Sequence, residues 1–145
     1  MFDLIFKFLS NPIVTAIIGA ILGTMGRFID AIGIRPLFEY YEIRKNVVRV
    51  FHDHAGAITS PGTLNFQEIN DIQREIRGVA REINVIYSTF KLYKLFEILK
   101  LIPPKKKLIN GHGFIIRISN CLHEPSYALQ NFQDMNKVEE LLGLK

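Results

Sequence analysis

"NPIVTAIIGAILGTMGRFID", residues 11–30, is the stretch that decides the fold class, because it is the clearest apolar signal in the chain. From Phe8 to Gly26 there are 19 consecutive residues without a charge. At 1.5 Å rise per residue a helix of that length covers roughly 28 Å, close to the hydrocarbon thickness of a bilayer. We therefore predict a transmembrane helix over residues 12–32, preceded by a short interfacial segment over residues 1–11.

The ends of this predicted span carry their own signals. Asn11 and Pro12 suit the N-cap and the first helical position, because proline lacks the amide hydrogen that is unpaired there in any case. Arg27 and Asp30 lie near the exit at helical neighbour spacing, and Arg27 can extend its side chain towards the headgroups.

Two other interpretations of the apolar stretch compete with the transmembrane helix. A signal peptide needs a basic start and a small-x-small cleavage site, but Asp3 offsets Lys7 and the best site, Thr24-Met25-Gly26, is poor. A buried helix of a soluble protein would need a large protein to enclose it, and only about 110 residues follow. The transmembrane helix is the favoured interpretation.

Small residues recur along one side of the predicted span. A Gly-x-x-x-Gly or Ala-x-x-x-Ala spacing lets two helix backbones approach closely in lipid. The pattern predicts a homo-oligomer that associates through Ala16, Gly19, Ala20 and Gly23.

The distribution of basic residues predicts the orientation in the membrane. Lys7 alone precedes the span, whereas Arg27, Arg35, Arg44, Lys45 and Arg49 follow it. By the positive-inside rule the N-terminus lies outside and residues 35–145 form a cytoplasmic domain. The single cysteine, Cys121, cannot form an internal disulfide and agrees with a reducing compartment.

Helical periodicity continues beyond the span. We predict a helix from Pro36 to about His54, a turn at Ser60-Pro61-Gly62, and a capping box at Asn65 with Glu68. A heptad stripe follows at Ile69, Ile72, Ile76, Val79, Ile83, Ile86, Phe90 and Tyr93. It predicts one long helix that either continues towards Leu101 or bends, and it suits an intermolecular coiled coil as well as an intramolecular bundle. Pro103-Pro104 should end this helix.

The last third of the chain is less regular. Residues 105–123 could be a helix or contain a short strand, and we choose a helix because a lone strand would leave its backbone groups unpaired. Glu124-Pro125-Ser126 should break it, and Asn136 with Glu139 suggests a second capping box in one terminal helix or two short ones. The predicted fold class is all-α, with one transmembrane helix and a small cytosolic helical bundle.

No set of side chains has the spacing of a catalytic or metal site. His52 and His54 are two positions apart on a helix and point away from each other, so they cannot share an ion. The loop Asn110-Gly111-His112-Gly113 follows three lysines but lacks the spacing of known nucleotide-binding motifs. We predict no catalytic residue, no cofactor and no metal.

Basic residues concentrate between Lys91 and Arg117, where seven of them face Glu97 alone, in a chain of net charge +4. Leucine and aromatic residues interleave with them, a composition typical of segments that lie against anionic headgroups. This pattern predicts a membrane-surface site formed by Lys91, Lys94, Lys100, Lys105, Lys106 and Lys107. A solvated helix face is the alternative. We do not expect nucleic-acid binding, because no recognised module is present.

These features favour a single-pass membrane-anchored protein that acts as an interaction or scaffold module and is not an enzyme. The bilayer is its first expected partner, a second copy is another, and a protein partner stays unidentified. One alternative is an oligomerising, membrane-perturbing effector of the holin or toxin type. Another is a small membrane enzyme that uses Cys121 or the histidines.

Overall fold

The computed structural model describes residues 12–144, so the predicted interfacial segment, the Asn11 cap and Lys145 lie outside it. The regular structure is entirely helical, amounting to 83% helix without a strand among the described residues. The all-α prediction is confirmed at this level.

The elements follow one another along the chain with short connections. They are α1 (Pro12–Ile29), a π-helical segment (Asp30–Ile34), α2 (Arg35–Asp53), α3 (Ala55–Thr59), α4 (Phe66–Thr89), α5 (Tyr93–Ile98), α6 (Lys105–Asn120), a 3₁₀ turn (Pro125–Tyr127) and α7 (Ala128–Leu142).

The first three elements form one continuous helix of 42 residues, from Pro12 to Asp53. The prediction that a helix begins at Pro36 is therefore wrong. Proline removes one backbone donor, and its ring clashes with the carbonyl four residues earlier in a regular α-helix. Just before it the Arg35 amide donates to the Asp30 carbonyl, five residues back, so the wider π turn makes room for Pro36 and the helix continues.

The long helix changes character along its length. In α1 no residue is buried, and large apolar side chains such as Ile13 and Phe28 are exposed. In α2 one side enters the core through Tyr40, Val47 and Val50. Within residues 12–144 this is the one helix that is long and apolar enough to cross a membrane.

Helix α4 begins at the predicted N-cap but ends before the last two residues of the heptad stripe. The Asn65 side chain accepts from the Glu68 amide at 2.9 Å, and the Glu68 carboxylate accepts from the Asn65 amide at 3.1 Å, which confirms the capping box. The helix ends at Thr89, because Phe90 is extended, so the predicted long helix bends away before Leu101. Phe90 and Tyr93 are nevertheless buried, with ring centroids 5.9 Å apart.

The core lies where α4 packs against α2 and α6, while α7 covers α6 and contacts α3. Ile76, Ile115, Ile118 and Val138 are fully buried there. A polar link crosses the α4–α6 contact, since the Gln73 side chain donates to the Ser119 carbonyl at 2.8 Å. This packed region, residues 35–144, is continuous with the exposed α1.

Three of the remaining predictions are confirmed and one is wrong. Residues 105–120 are helical, as predicted, and the turn at residues 60–62 and the break near Pro125 are present. The second capping box is wrong, because α7 runs unbroken through Asn136, whose side chain donates to the Phe132 carbonyl at 3.0 Å. An asparagine in a helix interior can satisfy its amide by bonding the preceding turn.

Candidate membrane-facing site

The connection between α4 and α6 lies against the long helix where α1 gives way to α2. Gly33 is buried, and a Cβ added to it would lie 3.4 Å from Phe96 Cζ and 3.5 Å from Leu92 Cδ1. An alanine there would already be in van der Waals contact with both side chains. Residues 91–101, called here the α5 segment, are therefore held directly beside the π-helical segment.

Two tyrosine hydroxyls fix the far end of the α5 segment. Tyr93 donates to the Pro103 carbonyl at 2.7 Å, and Tyr41 donates to the Leu101 carbonyl at 3.2 Å. Burial raises the pKa of Tyr93, so its hydroxyl stays a neutral donor. Lys100 has φ 57°, a left-handed conformation that is uncommon for residues other than glycine and that turns the chain back towards α6.

The α5 segment presents apolar side chains to its surroundings. Ile98 is 76% exposed, Leu99 56% and Leu95 49%. Lys91, Lys94 and Lys100 are exposed on the same eleven residues. A water-soluble surface rarely gathers exposed leucine and isoleucine in this way, and such patches mark contact sites.

A cleft of about 550 Å³ separates the α5 segment from the end of α1. Its walls are Phe28, Ile29 and Ile32 on one side and Leu92, Leu95 and Phe96 on the other. Among the described residues, Lys91 is the one charged residue that lines it. The cleft is therefore apolar inside and basic at its edge.

A second cleft, of about 640 Å³, lies on the other side of the α5 segment and brings Lys100 and Lys107 together with Arg44. The Arg44 guanidinium lies over the rings of Tyr40 and Tyr41 at 5.8 and 5.6 Å and donates to the Gly143 carbonyl. Burial raises the pKa of Tyr40 to about 12. Glu97 and Glu140 also line this cleft and offset two of the three positive charges.

The remaining predicted lysines form the first turn of α6. Lys105, Lys106 and Lys107 are exposed, and that turn has neither an acidic residue nor a capping side chain. Lys105 Nζ lies 5.7 Å from the centroid of the Tyr87 ring. Positive charge at the positive end of a helix dipole is unfavourable, so this turn would gain from a nearby anion. Contact of the six lysines with a membrane stays a prediction.

The predicted helix-association face is equally open. Ala16, Gly19, Ala20 and Gly23 are all exposed, and a Cβ at Gly19 or Gly23 would meet nothing within 4 Å. Space for a second helix is present along this face. Self-association stays a prediction.

An open groove of about 770 Å³ runs between the outer sides of α2 and α4. Its apolar lining includes the exposed side chains of Phe38 and Val85. Its rim carries both signs of charge, from Arg35, Glu39, Glu42, Arg81 and Glu82. No sequence pattern indicates this groove, because its apolar residues come from two helices.

The residues considered for chemistry are held apart. His54 hydrogen-bonds Glu75 at 2.8 Å, whereas His52 is exposed. His112 contacts the Tyr87 ring and His123 the Phe66 ring, at centroid distances of 6.4 and 5.9 Å. Among residues 12–144 no group of three possible metal ligands occurs.

Cys121 is the one residue considered as a nucleophile. Burial is the main cause that raises the pKa of its thiol. A raised pKa lowers the fraction of the reactive thiolate at neutral pH.

Comparison with protein-family models, with curated proteins and with solved structures found no match. The geometry defines a helical protein with one exposed apolar helix that could cross a membrane. Beside the C-terminal end of that helix lies a short segment with exposed lysine and leucine side chains.

Proposed function

We propose that this is a single-pass membrane-anchored protein that holds a helical interaction module at the cytoplasmic face of a membrane. One observation carries the proposal: α1 is apolar, has no buried residue, and continues without a break into α2. An anchor and a packed region thus share one helix.

The free energy of the exposed helix favours a bilayer over water. Transfer of one large apolar side chain out of water contributes about 1.5–3 kcal/mol. Ile13, Ile17, Ile21, Leu22, Met25, Phe28 and Ile29 are all more than half exposed. The core of the packed region is formed by other residues, so a lipid environment is the natural cover for α1.

Continuity of the helix also supports an anchor over a cleaved signal. Cleavage after Gly26 would cut within α1 and leave an exposed helix end three residues before the π-helical segment. Basic residues after the span and the single cysteine are compatible with a cytoplasmic module.

The partner proposed for the module is a second copy of this chain. Because α1 and α2 are one helix, two copies that pair through Ala16, Gly19, Ala20 and Gly23 are held side by side at α2. The groove beside Phe38 then faces the same groove of the second copy, and both rims carry charges of both signs. Arg35 or Arg81 of one chain can therefore pair with Glu39 or Glu42 of the other. Cytoplasmic placement, pairing and the scaffold role are parts of the same proposal.

Fractionation with protease protection tests the anchor and its orientation. The full chain should stay in the membrane pellet after alkaline carbonate extraction, because its span is integrated. Protease added to the cytoplasmic side should remove a C-terminal tag and leave an N-terminal tag intact. Release into the soluble fraction would contradict the anchor, and the reverse protection pattern would contradict the orientation.

Energy transfer between two labelled populations in vesicles tests the pairing. Gly19→Leu with Gly23→Leu should abolish transfer, because the side chains separate the two backbones. Ile17→Leu with Ile21→Leu keeps the apolar character and serves as the matched control. Phe38→Arg should weaken the pairing without changing membrane integration. Equal transfer in all variants would contradict pairing through this face.

Expression of the chain also separates a scaffold from a membrane-perturbing effector. We expect the membrane potential of the expressing cells to be unchanged. Collapse of the potential by the wild-type chain, but not by the Gly19/Gly23 variant, would favour the holin or toxin alternative.

A further inference from the structure

The α5 segment lies level with the point where the long helix would leave the hydrocarbon core of the bilayer. This placement rests on the proposed function of α1 as a membrane anchor. The 18 residues of α1 rise about 27 Å, close to the roughly 30 Å of a bilayer core. A Cβ added to Gly33, about one turn beyond the end of α1, would lie 3.4 Å from Phe96 and 3.5 Å from Leu92. Protein contacts therefore hold the α5 segment at the boundary between acyl chains and headgroups.

At that boundary the exposed side chains fit a leaflet better than water. Ile98 has the largest exposed fraction, 76%, of the large apolar side chains in the described region. Leu95 and Leu99 lie within three residues of it and are also exposed. A short helix with such side chains and a basic face is typical of elements that lie in the membrane interface.

The charges of the α5 segment identify the kind of lipid. Lys91, Lys94 and Lys100 are exposed, and Glu97 is the one acidic residue among them. Lysine ammonium groups at a membrane surface are attracted by anionic headgroups, each by an amount equivalent to roughly fivefold in affinity. Zwitterionic lipids lack this net attraction.

The cleft between α1 and the α5 segment gives a lipid a defined place. Its lining from Phe28, Ile29, Leu92 and Phe96 is apolar, and Lys91 stands at its edge. An acyl chain beside the span can occupy the apolar part while the phosphate of the same lipid meets the Lys91 ammonium. Within residues 12–144 no side chain of opposite charge lines this cleft.

We propose that the α5 segment is a second membrane-inserting element. Leu95, Ile98 and Leu99 enter the acyl region of the cytoplasmic leaflet, Lys91, Lys94 and Lys100 bind anionic phospholipid headgroups, and an acyl chain of such a lipid fills the cleft beside α1. Two contacts with the bilayer then fix how the packed region is oriented on the membrane.

The absence of tryptophan from the chain allows a direct test. Ile98→Trp places a single reporter on the α5 segment of the full chain, reconstituted in vesicles that contain an anionic phospholipid. Leu129→Trp is the matched control, because Leu129 is also strongly exposed, at 69%. Leu129 lies at the start of α7, whereas the second cleft, next to the α5 segment, is lined by Gly143 just after the end of α7. Ile17→Trp reports the span. Ile98 and Leu129 are both exposed, so a tryptophan at either position should leave the core undisturbed.

We expect emission from Ile98→Trp at shorter wavelength and quenching by lipids brominated near the headgroup, with neither effect in Leu129→Trp. Exchange of Lys91, Lys94 and Lys100 for glutamine, or zwitterionic vesicles, should weaken the quenching of Ile98→Trp. Quenching of Ile17→Trp shows that the span is integrated, so its failure would count against the proposed function instead.

Three outcomes would overturn the inference while Ile17→Trp is quenched. Equal, water-like emission from Ile98→Trp and Leu129→Trp would show that the α5 segment stays outside the leaflet. A shift to shorter wavelength without quenching would show that protein covers it. Quenching that is independent of anionic lipid and of the three lysines would remove the role of headgroup charge.

Discussion

Arg117 and Asp134 form a bidentate ion pair that joins α6 to α7. The Asp134 side chain is 1% exposed, whereas the Arg117 side chain is 43% exposed and also lies 4.9 Å from the centroid of the Phe114 ring. Removal of Arg117 would therefore leave a buried charged group, whereas removal of Asp134 would leave a partly exposed one. The carboxylate has no access to water, but the guanidinium does.

Removal of Arg117 should destabilise the packed region more than removal of Asp134. Arg117→Met leaves a buried carboxylate without its partner, and an uncompensated charge in a buried position costs up to about 3–5 kcal/mol. Asp134→Asn keeps a buried side chain of the same shape and leaves a guanidinium that reaches solvent, so about 1.5–3 kcal/mol is expected. Thermal unfolding of the full chain in detergent micelles measures both. A larger loss in Asp134→Asn would contradict this asymmetry.

Gly62 and Gly56 should respond in opposite directions to the same substitution. Gly62 has φ +78°, its amide donates to the Leu122 carbonyl at 2.9 Å, and an added Cβ would lie 2.8 Å from Pro125 Cδ. Gly62→Ala should therefore lower the free energy of unfolding by about 1–2 kcal/mol or more. Gly56→Ala, in α3 with open space around it, should raise it by about 0.5–1 kcal/mol. Equal melting temperatures of the two variants would contradict the prediction.

The features that the sequence predicted correctly are those with local signals. The Asn65–Glu68 capping box can be recognised from two residues that lie three positions apart, and the buried face of α4 from the helical spacing of its apolar residues. Apolar composition alone identifies α1 as the helix that could span a membrane. Each of these depends on side chains of one helix.

The features that the sequence did not predict depend on contacts between distant residues. Phe90 and Tyr93 continue the stripe and are buried, so periodicity could not reveal the turn that ends α4 at Thr89. Pro36 resembled a helix start, because the π turn that accommodates it has no sequence signal of its own. Arg44 had one local signal, the two tyrosines three and four residues before it, but its closeness to Lys100 and Lys107 arises only in the fold.

Glu75 should make the stability of the packed region depend on pH. Its carboxylate hydrogen-bonds His54 at 2.8 Å and pairs with Arg49 at 3.2 Å, and the bond to His54 is the main cause that lowers its pKa below 4.5. A lowered pKa in the folded state contributes stability that is present above about pH 4.5 and is lost as the pH falls through the folded-state pKa. Because the Glu75 side chain is 38% exposed, solvent screening limits this contribution to about 1 kcal/mol or less.

Comparison with Glu75→Gln isolates that contribution. The wild type should unfold at a higher temperature than the variant at about pH 6, and the difference should shrink as the pH falls below 4.5. Glu68→Gln is not a suitable control, because it alters the capping box, whereas Glu82→Gln changes an exposed carboxylate on the same helix. A difference between wild type and Glu75→Gln that stays constant with pH would contradict the linkage.

Cys121 should react slowly with thiol reagents in the folded chain. Burial raises the pKa of its thiol above 9.0, the Arg117 charge acts in the opposite direction, and Asp134 and Glu124 raise the pKa further. Because the thiolate is the reactive form, the rate at neutral pH should be severalfold below that of the unfolded chain, and its midpoint should lie above pH 9.0. Glu124→Gln, an exposed change, should move the midpoint down. Since Cys121 is the one thiol of the chain, the full protein needs no other substitution for this measurement. A folded-state midpoint below 9.0 would contradict the prediction and would restore Cys121 as a candidate nucleophile.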